Sequence, residues 1–297
     1  MRAYVTAGRG DRMEQFDVDT LYGNVRVYKK GAGERKLLLL HGAGCDHAML
    51  TWRGVMERLR YDEYTAYAYD LPGYGKSGRP AGLAGGEFYS DHAAVVEQVR
   101  EALGLEEFTL AGLSMGGAIA IRYAIDNPDR VNLLIPVDTW GVTKRMPYHR
   151  LCYRYLKKTK RIGKWYARFA KSRLLAKWVI GYSLIGDKRL ITPELVDEVR
   201  RACAGEDAHK SMCDYIRSSL TKKECIPCYE AEWSRLPMPV VFVQGEKDQM
   251  VRAADVKRAA EAVPTGTYCE LSGCRHWSVR EQPGEFVRII AAHKPHE

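Results

Sequence analysis

A serine flanked by glycines, in the run Gly112-Leu-Ser-Met-Gly116, is the feature that most limits how this chain can fold. Residues 108–113 form a short apolar stretch before the serine, which is typical of a buried strand. Residues 118–125 have the composition of a helix that ends near the proline at position 128. Glycines allow the tight turn between two such elements because they carry no Cβ. The pattern predicts a sharp strand-to-helix turn that exposes Ser114 beside the free amides of the helix.

Length and composition narrow the class of protein. The chain has 297 residues, of which 46% are hydrophobic and 28% are charged, values typical of a soluble globular protein. It is long enough for one large α/β domain, or for such a domain with an insertion. The sequence has no apolar stretch of about 18 residues that predicts a membrane span, and its first eleven residues lack the apolar core of a signal peptide. We therefore expect a cytoplasmic protein.

The eight cysteines do not have the spacing of a disulfide framework. In a cytoplasmic protein the default is reduced thiols, and we expect Cys45 and Cys274 to be small packing residues. Cys225 and Cys228 have the two-residue gap found in zinc sites and redox motifs. The sequence supplies neither a second pair at ligand spacing nor the strand and helix that a redox motif needs. It predicts no metal site and leaves the role of this pair open.

Predicted strands and helices alternate along the chain, except in one long segment. Strands are predicted at 25–28, 36–40, 64–69, 108–113, 131–137, 239–244 and 267–271, and helices at 49–60, 89–103, 118–125, 253–263 and 283–292. The alternation stops for about 90 residues after the fifth strand. This arrangement predicts an α/β fold with a mostly parallel central sheet flanked by helices. We place the core at residues 1–139 and 231–297, and a helical cap at 140–230.

The predicted cap carries the whole basic excess of the chain. Residues 141–230 hold 21 Lys or Arg and 9 Asp or Glu, whereas the net charge of the full chain is +9. Three explanations stay open: solvated charges around an apolar stripe that packs on the core, adsorption to an anionic lipid surface, or attraction of a negatively charged substrate. Nucleic acid is not an expected partner, because no nucleic-acid-binding motif accompanies the basic residues.

Apolar residues at helical spacing are interleaved with these basic residues. The following can share one helical face: Leu151, Tyr155, Ile162, Tyr166 and Phe169. Gly163 is expected to divide the segment into two helices. A later helix start is predicted at residues 192–193, with Thr192 as the N-cap and Pro193 in the first turn.

Two side chains downstream of Ser114 have the positions of a catalytic acid and base. A serine hydroxyl is a weak nucleophile that needs a base, and the base needs an acid that orients it. Asp248 follows the predicted strand that ends at Gln244, and His276 follows the one that ends at Leu271. Both lie at carboxyl ends of strands, where open α/β sheets bind ligands. The chain order serine, aspartate, histidine is that of the α/β-hydrolase superfamily, and the resemblance covers nearly the whole chain. It implies the α/β-hydrolase fold with a helical cap.

The resemblance implies a role for each of these residues. Ser114 matches the nucleophile, and His276 matches the general base that later protonates the leaving group. Asp248 matches the acid that fixes the imidazole tautomer. Asp138 is the alternative acid, because it follows the strand after the serine helix and some relatives use that position.

A glycine-rich loop after the predicted strand 36–40 matches the family's oxyanion loop, His41-Gly-Ala-Gly44. We expect the backbone N–H groups of Ala43 and Met115 to hold the oxyanion, and His41 to be a structural hydrogen-bonding residue. The candidates for the substrate pocket are Gly42, His47 and Trp277.

A serine rather than an aspartate at position 114 implies an acyl-transferring member of the family. The expected function is hydrolysis of a small-molecule carboxylic ester through a Ser-His-Asp triad and an acyl-enzyme, with no metal or organic cofactor. Four alternatives stay open. The pair His276-Trp277 also occurs in carbon–carbon bond hydrolases of the meta-cleavage type, and the basic cap suits a monoglyceride-type lipase. Some members of the superfamily bind ligands with little turnover, and others carry out cofactor-free oxidation. The sequence predicts neither the acyl chain length nor the oligomeric state.

Overall fold

One eight-stranded sheet forms the centre of the structure. The computed structural model describes residues 11–79, 87–205 and 207–293. The strands are β1 (Glu14–Thr20), β2 (Gly23–Gly31), β3 (Arg35–Leu40), β4 (Tyr64–Tyr69), β5 (Phe108–Leu113), β6 (Val131–Val137), β7 (Val240–Gly245) and β8 (Gly266–Leu271). Their order across the sheet is β1-β2-β4-β3-β5-β6-β7-β8. The pairings of β2 with β1 and β4 are antiparallel, and those from β4 across to β8 are parallel, which confirms the mostly parallel sheet.

Helices cover both faces of this sheet. Within the described ranges they are α1 (Ala48–Met56), α2 (Phe88–Leu103), α3 (Met115–Asp126), α4 (His149–Leu156), α5 (Thr159–Lys171), α6 (Arg173–Val179), α7 (Pro193–Ala204), α8 (Ala208–Ser219), α9 (Ala253–Ala262), α10 (Ser278–Glu281) and α11 (Pro283–Ala292). Residues of α2, α3 and α9 pack on one face of the sheet. Residues of α1, α10 and α11 pack on the other.

The leucines of β3 show how the sequence specifies this layered core. Leu38 and Leu40 pack with α2 and α3, whereas Leu37 and Leu39 pack with α1 and α11 on the opposite face. Successive side chains of a strand point to opposite faces, so a strand covered on both sides is apolar throughout. Each buried leucine stabilises the fold by about 1.5–3 kcal/mol relative to an exposed one. The continuous apolar run therefore predicts a central strand correctly.

We call the five helices α4–α8, which lie between β6 and β7, the helical insertion (residues 149–219). They occupy the part of the chain where the sequence predicts the cap. The predicted break at Gly163 is wrong, because α5 runs through it and the chain turns near residue 157 and at Ser172 instead. Ser172 caps α6 with its side chain. The start of α7 is confirmed, with Pro193 as its first residue and Thr192 as its cap.

The apolar stripe predicted along this segment is divided between two helices. Ile162 and Tyr166 of α5 are buried against α7 and α8, so they stabilise the insertion itself rather than packing on the core. Leu151 and Tyr155 lie on α4 and are exposed. The prediction of one shared face is wrong, because the chain turns between α4 and α5.

Cys45 and Cys203 form a disulfide, contrary to the expectation of reduced thiols throughout the chain. Their Cα atoms are 5.7 Å apart although the sequence separation is 158 residues, so no local spacing reveals the pair. The bond joins the loop after β3 to α7. Cys225 and Cys228 are free thiols, and no group of side chains that could hold a metal ion occurs within the described ranges.

Several predicted elements differ from the observed ones; β2, for example, is longer than predicted and spans Gly23–Gly31. β1 is absent from the predicted strands because it has no buried apolar run: three of its seven side chains are exposed, three are half-buried, and only Val18 is buried. α1 ends at Met56 rather than near residue 60. Tyr229, assigned to the cap, is buried in the core, where its hydroxyl donates to the carbonyl oxygen of Ala118 (2.8 Å).

Two expectations concern membranes and export. None of the helices in the described part of the chain is long and apolar enough to cross a membrane. Residues 1–10, on which the signal-peptide expectation rests, lie outside the described ranges.

Candidate active site

Ser114 lies at the turn between β5 and α3, as the motif predicts. Its backbone φ is 53°, a left-handed value that is uncommon for a residue with a side chain. The turn is closely packed, because a Cβ on Gly116 would lie 2.5 Å from the carbonyl oxygen of His41. A Cβ on Gly112 would lie 2.2 Å from the carbonyl oxygen of Gly116. The glycines thus let β5, α3 and the loop after β3 approach one another around the serine.

His276 and Asp248 are joined by a hydrogen bond of 2.8 Å between Nδ1 and Oδ2. Asp248 lies in the loop after β7, where its Oδ1 accepts from the amides of Met250 (2.7 Å) and Val251 (3.2 Å). His276 lies after β8 and is buried. Because the carboxylate accepts a hydrogen bond from Nδ1–H, the neutral imidazole carries its proton on Nδ1 and keeps Nε2 free to accept one.

The surroundings of His276 favour its charged form. Burial alone would lower the pKa of His276, but the negative charge and the hydrogen bond of Asp248 outweigh burial and raise the pKa to about 9. The charge of Asp138 acts in the same direction. An imidazolium that forms here by accepting a proton is therefore stabilised.

Asp138, the alternative acid, has other partners. It follows β6 with a φ of 43° and is fully buried. Its Oδ1 accepts from the amide of Gly245 (2.7 Å), and its Oδ2 accepts from the hydroxyl (2.5 Å) and the amide (3.3 Å) of Ser278. Burial and the charge of Asp248 raise the pKa of Asp138. Asp138 ties the end of β7 to α10, and it is Asp248 that forms the hydrogen bond with His276.

Hydrogen bonds fix the loop after β3. The amide of Gly42 donates to Oδ2 of Asp46 (2.9 Å). His41 is buried, with Nδ1 2.7 Å from the carbonyl oxygen of Gly42 and with Nε2 accepting from the amide of Leu71 (2.9 Å). Burial lowers the pKa of His41 to about 3, which keeps the ring neutral. His41 thus has the structural role that we expect.

The amides of Ala43 and Met115 are the predicted oxyanion donors. Among the residues that the structure describes, neither amide has a hydrogen-bond acceptor. Met115 is the first residue of α3, and the first amides of a helix have no intrahelical partner and attract negative charge. Ala43 and Ser114 line one cavity. With the amide of Ala43 at the cavity and that of Met115 directly after Ser114, the two free N–H groups can bind an oxygen atom that becomes negatively charged.

A cavity of about 830 Å³ opens beside Ser114. His276 and two of the three pocket candidates, Gly42 and Trp277, also line it. Most of the remaining wall is apolar and comes from the helical insertion, including Leu156, Ile162, Trp165, Tyr166, Phe169, Val179, Ile180, Met212 and Ile216. The cavity can therefore hold a molecule with a sizeable apolar part.

His47 does not line this cavity, and its prediction as a pocket residue is wrong. It precedes α1, and its Nε2 lies 3.6 Å from a carboxylate oxygen of Glu198 on α7. It borders a separate, more polar groove. The reason is local: Asp46 folds back to the amide of Gly42, so the chain turns away from the cavity before it reaches His47.

The model of one known protein family matches most of this chain. The model of the alpha/beta hydrolase fold matches residues 36–283. The chain belongs to the α/β hydrolase fold family. The matched range contains Ser114, Asp248 and His276, together with the whole helical insertion.

Proteins with similar sequences or structures include several named hydrolases. An abhydrolase domain-containing protein (abhd-5.2) of Caenorhabditis elegans is 29% identical over 236 residues, which are 71% of this chain and 48% of that protein. The chain thus spans about half the length of this relative. The 2-hydroxymuconate semialdehyde hydrolase of a Pseudomonas species is 25% identical over 267 residues, 89% of this chain and 88% of that enzyme. The crystal structure of carboxylesterase CesB from Bacillus subtilis has a TM-score of 0.74, 23% identity, and coverage of 95% of this chain and 91% of that one. The comparisons support a hydrolase.

Most of the cavity wall of this α/β hydrolase is formed by residues that the sequence does not mark as functional. Trp165 and Phe169 on α5 line the cavity, and so do Met212 and Ile216 on α8. Each pair is spaced by four residues, which indicates one face of a helix. Which face meets the cavity depends on how the helices of the insertion pack together, and local spacing carries no information about that.

Proposed function

We propose that this α/β hydrolase cleaves carboxylic esters, with Ser114 as the nucleophile, His276 as the general base and Asp248 as the acid that orients it. The observation that carries the proposal is the 2.8 Å hydrogen bond from Nδ1 of His276 to Oδ2 of Asp248, because the His276 ring shares a cavity with Ser114. An imidazole held in this tautomer can take the proton of a neighbouring hydroxyl. A carboxylesterase is among the structures that have the same fold.

The first half of the reaction forms an acyl-enzyme. Nε2 of His276 takes the proton of Ser114 while Oγ bonds to the carbonyl carbon of the ester. The carbonyl oxygen becomes negative, and the N–H groups of Ala43 and Met115 donate to it. One such donor lowers the activation barrier by roughly 2.7–4 kcal/mol. When the tetrahedral intermediate collapses, His276 gives its proton to the departing alcohol oxygen.

The second half of the reaction uses water as the nucleophile. His276 takes a proton from water as the water oxygen bonds to the acyl carbon, and the same two amides hold the oxyanion. Collapse of this intermediate breaks the bond to Ser114, returns the proton to Oγ and releases the carboxylic acid. No step uses a metal ion or an organic cofactor.

The length of the acyl chain is the property of the substrate that the cavity constrains most. Each methylene that moves from water into the apolar cavity gains about 0.8 kcal/mol, roughly a fourfold factor. With p-nitrophenyl esters of increasing acyl length, we therefore expect kcat/KM to rise until the cavity is full. Met212→Trp, which adds volume to the wall, is expected to shift the optimum to shorter chains. Leu21→Trp on the exposed surface of the core is the matched control and leaves the optimum unchanged.

Other outcomes of this assay contradict the ester proposal. A folded protein that hydrolyses no ester but cleaves a meta-ring-fission diketone is a carbon–carbon hydrolase. A folded protein that retains ester ligands without turnover is a binding protein. Either result removes the esterase assignment.

The pH dependence of ester hydrolysis follows from the surroundings of His276. Burial lowers the pKa of His276, but the charge and hydrogen bond of Asp248 raise it above its usual 6.5, to about 9. The neutral base that attack requires is therefore formed as pH rises through this range. We expect kcat/KM to increase with pH, with a midpoint between 6.5 and about 9. A pH-stat assay on a simple alkyl ester measures it, and a midpoint below 6.5 contradicts the role of His276.

A further inference from the structure

Two exposed apolar stripes run along the outer helices of the insertion. The first consists of Tyr148, Leu151 and Tyr155, at the start and along one face of α4. These side chains are three and four residues apart, which places them on the same side of a helix. Tyr148 is 83% exposed and Leu151 is 67% exposed. Apolar side chains that are exposed together mark a surface that binds something.

The second stripe consists of Leu174, Trp178 and Tyr182, which repeat every four residues on α6 and the helical turn at 180–184. Leu174 is 83% exposed and Trp178 is 61% exposed. The rings of Trp178 and Tyr182 stack, with centroids 5.3 Å apart and 7° between their planes. We call the two stripes together the outer surface.

The outer surface borders the opening of the cavity that contains Ser114. Tyr148, Tyr155 and Tyr182 line this cavity and are exposed as well. Tyr148 and Tyr155 belong to the first stripe and Tyr182 to the second. The cavity mouth therefore lies between the stripes, and anything that covers the outer surface also faces the mouth.

The segment that carries the outer surface is strongly basic, and most of its positive charges have no acidic partner among the described residues. Residues 148–190 contain thirteen Lys or Arg and a single acidic residue, Asp187. The eleven basic residues between 150 and 177 are all exposed. In the described part of the chain, Arg173 is the one among them that forms an ion pair, with Asp197. On the core, by contrast, arginines such as Arg26 and Arg122 have carboxylate partners.

We propose that the outer surface docks on a membrane that contains anionic lipids. Lysine and arginine side chains contact the lipid phosphates, while the leucines and aromatic rings enter the headgroup region, as amphipathic helices do at such interfaces. Trp and Tyr combine an apolar ring with a polar atom, which favours this depth. Docking brings the cavity mouth against the lipid. It does not depend on the proposed ester hydrolysis.

The charge of the outer surface distinguishes a membrane from two other occupants. A second copy of this chain would bring two strongly basic surfaces together, and they would repel each other. A nucleic acid would neutralise the cations but would leave Leu151 and Leu174 in water. An anionic membrane offers phosphates to the basic side chains and a partly apolar headgroup region to the two stripes at the same time.

Co-sedimentation with lipid vesicles tests the proposal. We expect the protein to bind vesicles of phosphatidylcholine mixed with phosphatidylglycerol, to bind pure phosphatidylcholine far more weakly, and to dissociate as salt is added. The double variant Leu174→Ala, Trp178→Ala is expected to weaken binding by about tenfold or more, because its apolar side chains no longer enter the lipid. The matched control is the double variant Leu21→Ala, Tyr61→Ala, which replaces two exposed apolar residues outside the insertion. We expect it to bind as the wild type does.

Charge reversal gives a second, independent measure. Lys164→Glu on α5 is expected to weaken binding to the mixed vesicles, whereas Lys257→Glu on α9 changes the net charge equally and leaves binding nearly unchanged. Ser114→Ala is expected to bind like the wild type, so failure to dock and failure to hydrolyse esters are separate results.

Four results would overturn the docking proposal. The first is no binding to the mixed vesicles at low salt, and the second is equal loss of binding in the outer-surface and core variants. The third is tighter binding to a DNA oligonucleotide that the stripe variants do not weaken, which assigns the surface to nucleic acid. The fourth is a dimer in solution that Trp178→Ala dissociates, which assigns the surface to a second copy of the chain.

Discussion

Replacing Ser114 with alanine is expected to lower kcat for ester hydrolysis by a factor on the order of 10⁵–10⁶. The proposed mechanism has no second nucleophile, and the rate that remains comes from substrate binding and the two amides of the oxyanion site. Alanine keeps the Cβ of serine, so the tight turn around position 114 is preserved. Steady-state kinetics on a p-nitrophenyl ester measure the loss, and an unchanged Tm shows that the fold is intact.

Ser183→Ala is the matched control for this experiment. Ser183 also lines the cavity, but the mechanism gives its hydroxyl no role, so we expect kcat to stay near that of the wild type. If Ser114→Ala kept more than about a hundredth of the activity, another group would be the nucleophile.

Asp248→Asn is expected to lower kcat by about 10⁴-fold. In the wild type, Oδ1 accepts two backbone N–H groups, and Oδ2 accepts from His276. The single oxygen of asparagine is held by the backbone amides, so its NH₂ group faces His276. The imidazole must then accept on Nδ1 and carry its proton on Nε2, the wrong tautomer for taking a proton from Ser114. Steady-state kinetics on a p-nitrophenyl ester measure the loss.

Asp138→Asn separates catalysis from stability. Both oxygens of Asp138 accept hydrogen bonds from Gly245 and Ser278, and asparagine replaces one acceptor with a donor. A buried donor without a partner costs about 1–3 kcal/mol, so we expect a lower free energy of unfolding in urea and a much smaller loss of kcat than in Asp248→Asn. A larger loss of kcat in Asp138→Asn would instead make Asp138 the catalytic acid.

The core and the candidate site could be predicted from sequence because local patterns determine both. Side chains that alternate between two buried faces make β3 a continuous apolar run, as Leu37–Leu40 show. Parallel strands end at one edge of a sheet, so residues that follow different strands meet there. That geometry brings Asp248 to His276, although they are 28 residues apart.

The packing of the helical insertion could not be predicted from the sequence in the same detail. Which face of α5 is buried depends on α7 and α8, and helical spacing alone does not specify those partners. His47 was misplaced because one hydrogen bond, from Gly42 to Asp46, turns the chain. The Cys45–Cys203 bond joins residues that are distant in sequence. Each of these features is decided by tertiary packing.

The disulfide is one of several attachments of the insertion to the rest of the chain, and two of the others are hydrogen bonds on different elements. It fastens α7 to the loop after β3. On α8, the hydroxyl of Ser211 donates to the carbonyl oxygen of Gly73 (2.6 Å). After α6, the amide of Gly186 donates to the carboxylate of Glu281 (2.8 Å). The attachments are on different elements, and one of them is covalent.

These attachments, one of them covalent, oppose a hinge motion of the whole insertion. While the Cys45–Cys203 bond is intact, a ligand reaches Ser114 through the rim of the cavity, between Tyr148, Tyr155 and Tyr182. Exposed side chains change rotamer within picoseconds to nanoseconds, whereas domain hinges move in microseconds to milliseconds. A rim built from exposed tyrosine rings can therefore open by rotamer changes, without a hinge motion of the insertion.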